Sequence, residues 1–289
     1  TCFTSRDGVG QVDATRSTRA PRRRSAFAAI LLLLLVGCGG SASSPTAGLP
    51  SASPTPLAMG DVRWGACAAD DAATSGNPEL LCAAISVPKD YARPELGTID
   101  LALAMLPATD QAARVGPLLL NFGGPGASGV TMLADSGRNV VPTEIGRRFD
   151  LVAWDPRGTG RSAPVDCLTD AEMDAWAYAP GIPSAPTSSD WTKARSDALW
   201  FAQKCEERSG ALLPYIGTTA SARDMERIRI ALGLPTLDYL GFSYGTELGA
   251  VFSTLFPHSV GRLVLDGAVD PVPTDASQYG EQEIGRAHV

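Results

Sequence analysis

Leu237-Asp238-Tyr239-Leu240-Gly241-Phe242-Ser243-Tyr244-Gly245 is the stretch whose reading decides the fold. A short apolar run of strand character leads straight into Gly-x-Ser-x-Gly, and residues 243–256, closed by Pro257, read as the helix that leaves it. A serine on so sharp a strand-to-helix turn needs flanking positions that lack side chains, because a Cβ there would collide with the strand or the helix. The turn presents Ser243 as a nucleophile. The backbone N–H of Tyr244, opening the helix, points at the charge that would develop on an attacked carbonyl oxygen. The bland alternative is a glycine-rich turn with an idle serine, and the strand before and helix after argue against it.

Upstream, residues 117–122 form a continuous apolar run that ends in Asn121-Phe122-Gly123-Gly124-Pro125-Gly126-Ala127-Ser128-Gly129. A serine hydrolase takes its second oxyanion N–H from such a loop, and consecutive glycines let the backbone come close to substrate. Gly124 is the first candidate for that donor and Gly123 the second. Asp155-Pro156-Arg157-Gly158-Thr159-Gly160-Arg161-Ser162 follows a further apolar run, residues 150–154. It reads as a structural turn bordering the site. It lacks the Lys and Ser/Thr ending of a phosphate-binding loop.

Further strands are expected over residues 81–87, 98–106 and 262–265, making six with those at 117–122, 150–154 and 237–242. Helix is expected over 220–232, and in parts of 170–210 around the proline-rich segment 180–186. Fully apolar strands separated by helices imply an α/β fold whose sheet is mostly parallel and covered on both faces.

Composition narrows the classes of function. The 289 residues are 44% hydrophobic and 19% charged, which excludes a disordered chain. Net charge is -7 and no basic run lies outside the first 24 residues, which argues against nucleic acid as a partner. Arg22-Arg23-Arg24, the apolar residues 26–36 and Cys38 describe an export signal, with Leu35-Val36-Gly37-Cys38 resembling a bacterial lipobox. On that reading residues 1–37 are signal and Cys38 carries the lipid. The Ser/Pro/Ala-rich residues 38–60 are then a flexible tether, and residues 61–282 hold the folded domain. Loss of the six Arg and two Asp of the signal leaves a mature charge near -11. No Met precedes Met59, so a cytoplasmic start there is the competing reading; it leaves a complete signal unexplained. Cys67, Cys82, Cys167 and Cys205 are an even number in an exported chain and are expected to pair as neighbours, Cys67–Cys82 and Cys167–Cys205. Their spacing does not suggest a zinc site, and no metal or organic cofactor is implied.

The residues a serine nucleophile needs beside it are harder to find. Only His258 and His288 exist. His258 follows a helix end beside Pro257 and reads as a surface residue. His288 lies in Glu283-Ile284-Gly285-Arg286-Ala287-His288-Val289, which fits a sequencing adapter read in frame and is set aside from the fold. Asp266 and Asp270 follow the last strand, where a turn is the simpler reading. The acid, the histidine and a lid are therefore expected beyond residue 282, and the chain as it stands is expected to be inactive and poorly folded, with an unpaired sheet edge.

Val87-Pro88-Lys89-Asp90-Tyr91, the loop of residues 121–129, Trp154-Asp155-Pro156-Arg157-Gly158-Thr159-Gly160, the elbow through Thr246, and Leu263-Val264-Leu265-Asp266-Gly267 together resemble the exported tripeptidyl aminopeptidases of actinobacteria and their prolyl-aminopeptidase-like relatives. The resemblance covers roughly residues 60–280. It implies an α/β-hydrolase fold of about eight strands, of which six are visible here. It also implies a Ser-Asp-His triad, a lid carboxylate that grips the substrate's amine, and peptide substrates with a free amino terminus. Ser243, Tyr244 and Gly124 match the family's motif; the amine-gripping acid and the other triad members have no position here. Phe122 stands where the family often has Pro. Two other functions compete: a carboxylesterase or lipase acting on acyl esters at the same serine, and a non-catalytic peptide-binding surface lipoprotein.

Overall fold

Leu118 and Leu120 point to one side of the strand Gly116–Asn121 and Leu119 to the other, and all three are buried. A strand with both faces covered must sit inside a sheet flanked by helices, since successive side chains alternate between faces. The computed structural model describes residues 62–269 apart from 69, 72, 73 and 75. Its strands are β1 (Gly65–Ala66), β2 (Leu81–Pro88), β3 (Thr98–Leu106), β4 (Gly116–Asn121), β5 (Phe149–Trp154), β6 (Leu237–Phe242) and β7 (Val260–Asp266). They form one sheet in the order β1-β2-β3-β5-β4-β6-β7. The last four in that order run parallel, while β1, β2 and β3 are joined antiparallel to each other and to β5.

The six strands expected from sequence are present, with bounds shifted by at most two residues. The count is corrected to seven by β1, a two-residue strand with no periodicity to betray it, which pairs Gly65 with Cys82 beside the Cys67–Cys82 disulfide. The helices are α1 (Gly129–Ser136), α2 (Thr143–Arg148), α3 (Asp170–Ala177), α4 (Ser188–Ser209), α5 (Thr218–Ala231) and α6 (Tyr244–Leu255). Helices α1 and α2 were not anticipated: eight and six residues give too few turns for a readable apolar stripe. On one face, α5 and α6 bury Met225, Ile228, Leu248 and Phe252 against Leu119, Val152, Trp154 and Tyr239. On the other, α1 buries Val130 and Leu133 against Leu118, Leu120, Leu151 and Ala153. All six residues of β5 are buried. At the far side β7 is an edge of the described sheet, with Val264 55% exposed.

A buried ion pair ties three segments together. Arg157 and Asp224 have fully buried side chains, and the Arg157 Nε and Nη2 donate to the two Asp224 oxygens at 2.7 and 2.5 Å. The remaining guanidinium hydrogens go to the carbonyls of Pro88, Lys89 and Tyr215, and the Tyr91 hydroxyl donates to Asp224 at 2.7 Å. Burial pushes the Asp224 carboxyl up from its ordinary value, and Arg157 and Tyr91 oppose that push. Every polar hydrogen of the fork has an acceptor, the condition under which a buried charge is tolerated.

Helices α3 and α4 differ from the rest because neither has a buried residue. The Cys167–Cys205 disulfide, the Lys204–Glu172 ion pair at 2.8 Å and the Trp176–Trp200 and Trp176–Phe201 ring contacts hold the two together. Glu172 also accepts from the Thr169 backbone N–H, closing a capping box.

Two outcomes follow. Arg157→Met strands the Asp224 carboxylate without its cation, and a loss of about 3–5 kcal/mol in urea unfolding is expected; a loss below 1 kcal/mol would contradict the role given to the pair. Lys204, with the Thr169 N–H, holds Glu172 at about 2, below its ordinary 4.5. A depressed carboxylate contributes fully above its ordinary value and loses that contribution as pH falls through the depressed one. The amide resonances of α3 should therefore shift, and their protection factors fall, as pH drops from 4.5 to 2, ahead of those in β4 and β6.

Candidate active site

The carboxyl ends of β4 and β6 lie side by side, with Asn121 paired to Gly241. After β4 the chain crosses to β5 by way of α1 on one face, and after β6 it leaves through α6 on the other. Strand order reverses at this point, and the diverging connections open a crevice there, where open α/β sheets bind ligands.

Ser243 sits between β6 and α6 with φ 51° and ψ -121°, a conformation that costs a non-glycine residue about 1–3 kcal/mol. Its N–H donates to the Asp266 carbonyl at 2.9 Å, and its carbonyl accepts from the Thr246 N–H at 2.8 Å and hydroxyl at 2.7 Å. Thr246 Oγ1 in turn accepts from the Val269 N–H at 2.8 Å, so strand end, elbow and helix start lock one another. The flanking glycines are required by space. A Cβ on Gly241 would lie 2.4 Å from the Gly245 carbonyl oxygen, and one on Gly245 would lie 2.8 Å from both oxygens of Asn121. The buried Tyr239 hydroxyl donates to the Gly245 carbonyl at 2.7 Å.

The loop after β4 meets this elbow directly. A Cβ on Gly123 would lie 2.7 Å from the Phe242 carbonyl oxygen and 3.0 Å from Ser243 Cβ. The Phe122 and Phe242 rings stack with centroids 6.2 Å apart. The two glycines considered as donors then part ways. The Gly123 N–H is engaged, donating to Asn121 Oδ1 at 3.0 Å. The Gly124 N–H has no acceptor among the described residues, and neither does that of Tyr244, the first residue of α6. The Ser243 side chain is exposed on this surface, and no described residue hydrogen-bonds its hydroxyl. The Tyr244 phenol faces away, bonded to Thr218 Oγ1 at 3.0 Å, with burial raising its pKa.

The turn at residues 155–162 is structural, as anticipated. Asp155 is completely buried and its carboxylate binds groups at the far end of the glycine loop. Asn121 and Asp155 are the site-supporting residues that sequence alone did not assign. A polar residue directly at the end of a fully apolar strand was the available signal for both.

His258 is exposed and follows the far end of α6, whose 12 residues span about 18 Å from the Ser243 end. Asp266 holds Ser243 through its main chain, while its side chain is exposed and makes no hydrogen bond among the described residues. Asp270, His288 and Cys38 lie outside the described residues. Both anticipated disulfides are present, with Cα–Cα distances of 4.8 Å for Cys67–Cys82 and 4.1 Å for Cys167–Cys205. Among the described residues no cluster of His, Cys, Asp and Glu could hold a metal, and no helix is long and apolar enough to cross a membrane.

Residues 116–287 match the α/β hydrolase fold family. The chain is similar to a tripeptidyl aminopeptidase of Streptomyces lividans, 39% identical over 74% of this chain and 39% of that one. It is similar to serine protease Hip1 of Mycobacterium tuberculosis, 35% identical over 84% of this chain and 45% of that one. It is also similar to carboxylesterase B of the same organism, 41% identical over 91% of this chain and 52% of that one. It thus spans about half the length of these relatives or less.

Ser243→Gly relieves the backbone strain at the elbow and should stabilise the fold by about 1 kcal/mol, net of the entropy a glycine adds to the unfolded chain. Gly245→Ala should do the opposite, by driving a methyl group into Asn121. Thermal unfolding of the two variants beside wild type checks the pair. A destabilised Ser243→Gly protein would show that the elbow is not strained.

Proposed function

The chain belongs to the α/β-hydrolase fold family, and we propose that it carries the nucleophile of a serine peptidase that removes short peptides, tripeptides among them, from free amino termini. The observation that carries the reading is the juxtaposition at the strand ends. An exposed serine hydroxyl, unengaged among the described residues, stands on a strained elbow, flanked by two backbone N–H groups that no other described residue uses. In this reading Ser243 Oγ attacks the scissile carbonyl and the N–H groups of Tyr244 and Gly124 receive the oxyanion, helped by the amino end of α6. Collapse of the tetrahedral species expels the amine and leaves the acyl-enzyme, which water then hydrolyses. Gly123 is the weaker donor candidate because its N–H is already given to Asn121. The base that takes the Ser243 proton is assigned neither to His258, on the wrong end of α6, nor to His288. It is a histidine of the longer protein, oriented by an acid of that same part.

Peptides are preferred as substrates because two of the similar proteins are named a tripeptidyl aminopeptidase and a serine protease. Acyl esters are the second reading, favoured by the similarity to carboxylesterase B, which extends over 91% of this chain. Export and lipid attachment at Cys38, tethering the enzyme to the outer face of the cell membrane, complete the proposal. They rest on the basic, apolar and cysteine-ended amino-terminal sequence and accord with two disulfides, which persist in oxidising compartments.

The test uses the product of the full gene. Wild type should hydrolyse a tripeptidyl anilide faster than short acyl esters and take a fluorophosphonate label, and Ser243→Ala should lose both. Ester hydrolysis without peptide hydrolysis would move the assignment to a carboxylesterase. An unlabelled wild type would leave a binding protein.

A further inference from the structure

The carboxylate of Asp155 lies at the carboxyl end of β5, completely buried, and four contacts converge on it. Its Oδ1 accepts from the Ser128 hydroxyl at 2.6 Å and from the Val130 N–H at 3.0 Å. Its Oδ2 accepts from the Arg161 N–H at 2.8 Å and lies 3.6 Å from the Arg161 guanidinium, which also binds Asp71. Ser128 is the amino-terminal cap of α1, and its Oγ also accepts from the Thr131 N–H at 3.1 Å. The glycine loop is therefore fastened at both ends, at its start by Asn121 Oδ1 on the Gly123 N–H and at its end by Asp155 on Ser128 and Val130. Only the middle, residues 124–127, lies between the fastenings, and Gly124 is exposed there. The fit around the carboxylate leaves no slack. A Cβ on Gly160 would lie 2.3 Å from Asp155 Oδ2, and one on Gly129 would lie 2.2 Å from the Trp154 carbonyl oxygen.

We propose that Asp155 is a positioning residue for the reaction at Ser243: by anchoring the start of α1 it fixes the loop so that the Gly124 N–H faces the oxyanion. The inference rests on the serine-hydrolase reading above. A buried carboxylate at a strand end could instead be a purely structural plug, and β5 supplies its own comparison. Asp150, at the other end of the same strand, is also buried and also saturated, accepting from the Ala108 N–H at 3.0 Å and from Arg114. It touches no part of the glycine loop.

The experiment compares Asp155→Asn, Ser128→Ala and Asp150→Asn in the product of the full gene. Asn at 155 keeps an oxygen for Ser128 and Val130 but turns an NH2 towards the Arg161 N–H, where two donors meet. Ser128→Ala removes one tie and leaves the carboxylate with its remaining partners. The loop variants should lose kcat, roughly a hundredfold for Asp155→Asn and about tenfold for Ser128→Ala, with KM little changed, since a donor displaced by a fraction of an ångström fails chiefly in the transition state. A peptide boronate, which places a tetrahedral oxygen in the oxyanion position, should bind more weakly by matching factors. Asp150→Asn should lose stability and keep kcat. Amide exchange in residues 124–130 should quicken in the two loop variants alone, a readout that needs no turnover. Equal loss of kcat in Asp150→Asn and Asp155→Asn, or unchanged loop exchange in Asp155→Asn, overturns the proposal. An inactive wild type whose loop still loosens on Asp155→Asn defeats the serine-hydrolase reading and leaves the anchoring of the loop standing.

Discussion

The close contact between two glycine-bearing backbones, the loop after β4 and the elbow after β6, is the constraint around which the rest is arranged. Gly123 lies against the Phe242 carbonyl and Ser243 Cβ, and Gly245 lies against Asn121. At such separations there is no room for side chains, so steric exclusion selects glycine on both sides. Two parallel strands must be direct neighbours for their ends to come this close, and β4 and β6 are neighbours although the chain between them passes through β5, α3, α4 and α5. The strain at Ser243 is sustained because its N–H and carbonyl are both hydrogen-bonded, to Asp266 and Thr246, and any relaxation would break one of those bonds.

Charge is used in this fold to fasten loops to the sheet. Asp150 lies next to the start of β5 and Asp155 directly after its end, each buried and each bonded by backbone N–H and an arginine. Arg157, two residues on, turns the other way and joins the β2 end to α5 through Asp224. Asp150, Asp155 and Arg157 lie at or just beyond the ends of β5, where backbone donors and acceptors run out of ladder partners and a buried ion can be fully hydrogen-bonded. In the middle of β5 the residues are Leu151, Val152 and Ala153, for which no such partners would exist.

What could be read in the sequence follows from the range of the forces involved. β4, β5 and β6 are legible because burial on both faces demands a continuous apolar run, and the elbow because steric exclusion forces glycine within two residues of Ser243. β1 was not legible: two residues, Gly65 and Ala66, carry no pattern, and they pair because Cys67 is bonded to Cys82. Helix α4 was legible only in part, since a helix with no buried residue has no apolar stripe to display. For Asn121 and Asp155 the sequence offers only a polar residue directly after an apolar run; that Asp155 reaches back to Ser128 and Val130 is set by the fold.

The same distinction bears on the proposed catalytic groups, of which the nucleophile and oxyanion donors lie among the described residues. The proposed nucleophile and oxyanion donors belong to two short segments, and the donors are main-chain groups whose direction is set by local backbone geometry. Local sequence therefore encodes them, and the pairing of β4 with β6 assembles them. A general base and its orienting acid are side chains. They need only reach Ser243 from some element, so no local pattern around the elbow specifies them. His258 illustrates the point: it is fifteen residues from Ser243 in sequence, yet α6 carries it to the opposite end of the sheet. Proximity in the chain is worth little for a side-chain partner when the intervening residues form a rigid helix pointing away.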